Sequence, residues 1–421
     1  MGFKIKSIHA REIFGRQNFP AIEVTVVTDD GISGTAVVAS GASVGKHEAS
    51  FVLDTERYNG RGVLRAVNNV SEFIAPALKG MDVTKQREID DKMIELDGTP
   101  NKSRLGANVM VSTSAAVLKA GAKSLKLPLY QHIGGLNACI MPVPCAKAVG
   151  DQGTRYGKPQ EVIHGKPSYS FICYGFKSFS EAAYAGWRVQ QVFLEILKEK
   201  GFNLIYSYGL FIPVLFEKLN SDRELWEIFA NAIERAGYNG KVGIQVDVAA
   251  GTYYEREKDK YVGLFSRKDK TREDLIELYK DMVATYPFMI FEDPLNDDDF
   301  DGHAILTKEL GVEIVGDDLT VTNPTRVREA IDSGAVNTML LKVNQVGTIS
   351  EAFEAVQMAY QNGLGVMPCS SRGEGEAIAD YTVGLLAKHM RGGSTSNRLL
   401  KIEAELGKRA RFLGKASLKV K

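Results

Sequence analysis

Apolar and polar residues alternate strictly at the start of the chain. The runs "KIKSIHAREIF", "AIEVTVVTDDG" and "SGTAVVASG" each have period two and are divided by turn residues, which predicts an antiparallel meander. The period then lengthens. In "VLRAVNNVSEFIAPAL" and "ANVMVSTSAAVLKAGAKSL" the apolar residues fall three or four apart, the spacing of amphipathic helices. Strands followed by helices predict an N-terminal α+β domain, residues 1–135, ending near "YQHIGGLNA". From residue 136 to 421 the rhythm changes. Short β-rich runs such as "IMPVP", "SFICYG", "VGIQVDV", "PFMIFED", "VEIVGDD", "NTMLLKV" and "LGVMPCS" recur, most of them separated by helical segments. That alternation predicts an α/β fold, a (β/α)8-type barrel with parallel strands. An open doubly wound sheet is the alternative, but no GxGxxG follows an early strand.

The composition narrows the partners. Lys plus Arg equals Asp plus Glu at 52 each, so no net field draws the chain to nucleic acid or to an anionic membrane. No apolar run approaches the roughly twenty residues needed to span a bilayer. The start, "MGFKIKSIHAREIF", has no signal-peptide core. Four scattered cysteines form neither a CxxC pair nor a dense framework, which fits a reducing cytoplasm. A cytoplasmic enzyme acting on a small molecule is the expectation.

The stretch "SGASVGKHEAS" carries two glycines and a lysine after a hydrophobic run, a possible phosphate loop. A nucleotide-binding loop has four residues between its glycines and a Ser or Thr after the Lys. Here three residues separate Gly41 from Gly45, and His47 follows Lys46. The spacing excludes that motif and leaves a surface loop or a flap.

Stronger chemistry stands at the strand ends. Asp247 closes "IQVD", Glu292 closes "MIFE", Asp317 closes "EIVGD" and Lys342 closes "MLLK". Glu292 and Asp317 are 25 residues apart, and so are Asp317 and Lys342, about one β/α unit each. In a barrel these side chains share the catalytic face. Three converging carboxylates are costly to bury unpaired, and magnesium, a hard cation with oxygen ligands, relieves that cost. A neighbouring cation and burial both favour the neutral amine of Lys342, making it a base for a proton next to a carboxylate. Taken singly, each acid could instead cap a helix or face solvent.

With these residues in place, the chain resembles the enolase family nearly end to end. The segments that carry the likeness are "SGASVGKHEA", "DGTPNKSRLGANVMVSTSAA", "MPVP", "FEDPLNDDDFDG", "VGDDLTVTNP" and "LLKVNQVGTISEA". The resemblance implies an enolase-like barrel behind an N-terminal capping domain, and a homodimer or a ring of dimers. It implies magnesium on Asp247, Glu292 and Asp317, with Lys342 as general base. It makes the first glycine-rich stretch a flap whose Ser43 helps hold a second magnesium.

The departures from the family all fall on the site. After "MPVP" the family has an Asn/Gly-rich segment with a functional His and then a "QEF" Glu. This chain has "CAKAVGDQGTRYGKPQEVIHGKPSYSF", in which Lys147, Glu161 and His164 are candidate replacements. Residues 150–170 are expected to line or cover the pocket. The family's "GDEGG" acid is replaced by "NLIYSYGLFIP", which has no carboxylate but contains Tyr206 and Tyr208. "SHRSGE" becomes "PCSSRGEGE", leaving Ser371 and Arg372 as candidate substrate contacts. The family's lysine near the C-terminus has no counterpart in "GGSTSNRLLKIEAELG", although Arg398 lies there.

The leading expectation is a magnesium-dependent lyase that takes an α-proton from a carboxylate substrate, phosphorylated or phosphonate-like, and eliminates water from the β-carbon. The alternatives are a genuine phosphopyruvate hydratase with a rebuilt acid and phosphate site, and a non-catalytic paralogue.

Overall fold

The meander forms as its alternation requires. Strands β1 (Ile5–Phe14), β2 (Pro20–Thr28) and β3 (Ser33–Ala39) pair antiparallel in chain order, with Ile22 opposite Val38 and Val24 opposite Ala36. One face is covered by the helix Ala107–Ser124, which is buried along nearly its whole length. The helix lies so close that a Cβ on Gly34 would sit 2.1 Å from the carbonyl oxygen of Ala116. Only glycine permits that approach. The computed structural model describes residues 3–15, 18–39, 45–149, 154–162, 166–207, 210–213, 219–372 and 375–420.

Eight strands then neighbour one another in chain order: Val143–Val149, Ser168–Cys173, Val242–Asp247, Phe288–Glu292, Glu313–Gly316, Thr338–Leu341, Gly365–Pro368 and His389–Gly393. The eighth pairs in parallel with the first, and a parallel bridge between Cys369 and Arg391 joins the seventh to the eighth. The sheet therefore closes into a barrel. Its interior is filled by Val143, Cys145, Ile172, Ile290, Val315, Leu340 and Met367, all fully buried. Each such apolar side chain contributes about 1.5–3 kcal/mol on burial.

One strand departs from the all-parallel expectation. Ser168–Cys173 runs antiparallel to both of its neighbours. The connection leading into it contains a short antiparallel pair, Thr154–Arg155 with Lys158–Val162, and no helix among its described residues. A parallel return needs a crossover, usually helical, whereas a hairpin-like connection turns the chain straight back. Two helices, Phe179–Glu199 and Asp222–Arg235, then precede the third strand. Reversal puts the amino end of the second strand on the face where its neighbours present their carboxyl ends, and Ser168 lies opposite Asp247.

The N-terminal unit is fastened to the barrel beside the sixth strand. Ser114 Oγ accepts from the Ile349 amide at 3.0 Å, and the buried Lys102 ammonium meets Glu351 at 2.6 Å. The Ala49 amide, just after the flap, donates to the Gln345 carbonyl at 2.8 Å. These ties hold the flap end over the barrel mouth. Among the described residues no helix is long and apolar enough to cross a membrane.

Candidate active site

Asp247 and Glu292 end adjacent parallel strands and are register partners, so their side chains stand together at the barrel mouth, fully buried. Asp317 and Lys342 directly follow the next two strands. The Lys342 ammonium donates to Asp317 Oδ2, and Gln345 Nε2 donates to Asp317 Oδ1 at 2.9 Å. Thr322 Oγ1 receives the Lys342 amide at 3.0 Å and donates to Gln345 Oε1 at 3.0 Å. This network sets the Lys342 backbone and orients the amide that grips Asp317.

Two cations that the sequence reading passed over complete the cluster. Arg391, on the eighth strand, donates from Nη1 to Glu292 Oε1 at 2.8 Å and from Nη2 to Asp247 Oδ2. Lys166, just before the reversed second strand, also pairs with Asp247 Oδ2. Both side chains are 14% exposed. Arg391 stands in "HMRGG", about one β/α unit beyond "LGVMPCS", so carrying the strand count one step further finds it. Lys166 has no such signal, because a strand-end search looks at carboxyl ends and this strand is reversed.

A second layer of acid lies beside the first. Asp293, held at a left-handed φ of 43°, accepts from the amides of Asp317 at 3.0 Å, Asp318 at 2.7 Å and Leu319 at 3.4 Å. Burial pushes its carboxyl well above the ordinary range, and Asp318 and Asp317 add to the rise. Asp318 is pushed up to about 6 by burial and then by Asp317. Glu292 is raised by burial against the pull of Arg391. Burial lowers Lys166 to about 8, with Arg391 acting the same way and Glu292 opposing. Arg391 is raised: burial opposes, but Glu292, Cys369 and Asp317 outweigh it.

Five carboxyls (Asp247, Glu292, Asp293, Asp317 and Asp318) thus meet three cations. Asp247 Oδ1 is buried without a hydrogen-bond partner among the described residues. Asp293, Asp317 and Asp318 each offer an oxygen within 4.8 Å of the others. That compact trio shares only Asp317 with the strand-end set, whose Asp247 and Glu292 are engaged by Arg391 and, at Asp247, by Lys166. The donors are all hard oxygens, and the site fits magnesium.

The remaining sequence candidates fall in different places. Lys147 stands exposed near the end of the first strand, on the face that Val143 and Cys145 turn inward, so it borders the mouth. Ser371 is exposed in the turn after the seventh strand, where its Oγ accepts from Cys369 Sγ at 3.1 Å. Cys369 in turn bridges to Arg391, which brings Ser371 to that corner of the site. Ser43 and His164 lie outside the described residues, as do the side chains of Glu161, Arg372 and Tyr206, and all of Tyr208. Arg398 pairs with Asp380 at 2.7 Å and Glu405 at 2.9 Å on the outer helices.

The flap end reaches this cluster. Lys46 Nζ and His47 Nε2 meet the two oxygens of Asp298 at 2.8 and 2.7 Å. A Cβ on Gly45 would lie 2.9 Å from Asp318 Oδ1, so the backbone there passes directly over the acids.

Two family models cover most of the chain: "Enolase, N-terminal domain" over residues 5–133 and "Enolase, C-terminal TIM barrel domain" over residues 139–421. The chain is 42% identical to the enolase of Methanocaldococcus jannaschii, across 96% of each protein. It is 42% identical to that of Pyrococcus furiosus across 99% of each. The enolase of Bifidobacterium animalis subsp. lactis is 39% identical over 99% of this chain and 98% of its own.

Proposed function

The chain belongs to the enolase family and is a lyase of that superfamily, and from this premise we propose that it is a magnesium-dependent hydro-lyase using Lys342 as its base. Its substrate on this reading is a carboxylate that loses an α-proton and then water from the β-carbon. The observation that carries the reading is Lys342 beside Asp317 at the mouth, with Asp247 and Glu292 in register next to it.

In the chemical step the α-carbon's proton passes to the neutral amine of Lys342, and the electron pair of the broken C–H bond moves toward the substrate carboxylate. Asp317 stabilises the ammonium so formed. Arg391 and Lys166 supply positive charge facing the site, and the flap, latched through Asp298, excludes water. Magnesium held by Asp247, Glu292 and Asp317 would offset the negative charge that develops on the substrate carboxylate. The electron pair then forms the Cα–Cβ double bond as the C–O bond breaks, and the leaving β-hydroxide takes a proton from the medium to become water. Ser43 at a second magnesium, and Ser371, Arg372, Lys147, Glu161 and His164 as substrate contacts, belong to the same proposal. So do a cytoplasmic location and a homodimer or ring of dimers, which rest on the family likeness.

The near-complete coverage by proteins named enolase favours a second reading, dehydration of 2-phosphoglycerate to phosphoenolpyruvate. The carboxylate-free stretch "NLIYSYGLFIP" and the placement of Lys166 favour a changed substrate. Heavy-water exchange separates the readings. With magnesium, a substrate acid acquires deuterium at its α-carbon, and Lys342→Ala abolishes this while retaining magnesium affinity. Phosphoenolpyruvate formed from 2-phosphoglycerate selects the hydratase. Exchange that persists in Lys342→Ala removes Lys342 as base, and its absence across a panel of 2-hydroxy and phosphorylated acids leaves a non-catalytic paralogue.

A further inference from the structure

Lys166 is built into its position. Its carbonyl accepts from the hydroxyl of the buried Tyr253 at 2.5 Å, tying down the connection before the second strand. The reversed strand brings this connection to the mouth, and its ammonium reaches Asp247. Arg391 already occupies the same oxygen, Asp247 Oδ2, whereas Oδ1 has no partner among the described residues. One carboxylate needs one counter-charge. Arg391 also spans to Glu292, so it has a structural partner that Lys166 lacks among its described ion pairs. Among its described ion pairs the ammonium of Lys166 is held by Asp247 alone. It is 14% exposed.

We infer that Lys166 is a specificity-determining residue, holding a second oxyanion of the substrate while the carboxylate that activates the α-proton lies beside Lys342. The inference rests on the proposed function for the placement of that first carboxylate. The second oxyanion is a phosphate, a phosphonate or another carboxylate, all of which a lysine ammonium receives as a point charge. A site with this extra cation favours substrates with two anionic groups over those with one.

The test is calorimetric, on Lys166→Met and Lys166→Arg, with magnesium alone and then with four probes: 2-phosphoglycerate, phosphonoacetate, malate and lactate. Magnesium is expected to bind Lys166→Met at least as tightly as the parent, because a competitor for Asp247 is gone. At least one two-anion probe should lose about tenfold or more in affinity, the scale of a lost charge-assisted hydrogen bond, while lactate changes less than about twofold. Lys166→Arg should keep most of the affinity. The probe that loses most identifies the oxyanion. Unchanged affinity for all three two-anion probes overturns the inference, and so does an equal loss for lactate. If Lys166→Met does not fold by circular dichroism, Lys166→Gln takes its place, with the same outcomes. Deuterium exchange on the parent chain is scored separately: its absence removes the lyase reading, whereas a loss selective for two-anion probes still supports Lys166.

Discussion

Replacing Arg391 with methionine tests the electrostatics of the mouth. The guanidinium bridges Glu292 Oε1 at 2.8 Å and Asp247 Oδ2, whose side chains are 0% and 1% exposed. Removing one partner of a buried pair typically costs about 3–5 kcal/mol, because the charge left behind has lost its compensation. Lys166 still serves Asp247, so the orphan is Glu292, left with Gln245 Nε2 at 3.3 Å. The lower end of that range applies, about 3 kcal/mol, or roughly a hundredfold in the folding equilibrium. Methionine fills much of the volume, which keeps the effect electrostatic. Urea unfolding followed by tryptophan fluorescence reads it, since Trp226 is buried against Phe265, Tyr286 and Phe288 in the barrel wall. The decisive arm adds magnesium. A cation that neutralises the same carboxylates narrows the difference between variant and parent, and a ligand at a hundred times its Kd supplies about 2.7 kcal/mol. Arg391→Lys, which keeps a charge but loses the fork, should fall between. A variant as stable as its parent without magnesium would refute the assignment. A deficit that magnesium leaves unchanged would show that the metal does not use Asp247 and Glu292.

Two further outcomes follow from the flap and the barrel wall. Asp298→Ala should release the flap, seen as several-fold faster proteolysis near residues 45–47. The effect is modest because Asp298 is 37% exposed and its pairs are screened. Hydrogen bonds from Lys46, and then from His47, hold its carboxyl at about 2, so the latch persists above the ordinary carboxylate range and weakens only as pH falls toward that value. An unchanged cleavage rate would mean the flap is held elsewhere. His303 is buried, with Nδ1 2.7 Å from the Asp299 carbonyl, and burial lowers its pKa below 6.5. The unfolded chain then binds more protons than the folded one below pH 6.5, so stability falls as pH drops from there toward the depressed value. His303→Gln should flatten unfolding free energy between pH 5 and 6.5 relative to the parent, by at most about 1.4 kcal/mol per pH unit. Parallel curves would exclude His303 as the source.

The sequence alone determined the meander, the barrel class and the standing of Asp247, Glu292, Asp317 and Lys342 at strand ends. Period two, period 3.6 and the length of a β/α unit are local properties, and a side chain's place along its own strand follows from them. Tertiary structure decided which charges meet. The reversal of Ser168–Cys173 depends on how residues 150–167 return, which no periodicity records, and it brought Lys166 rather than Lys147 onto Asp247. Closure of the sheet set Arg391 across the mouth from strands roughly 100 and 145 residues away in the chain, at Glu292 and Asp247. The backbone turn at Asp293 gathered Asp293, Asp317 and Asp318 into one oxygen cluster. Pairings of that kind depend on the path of the whole chain, because Coulomb energy falls with distance in space and takes no account of distance in sequence.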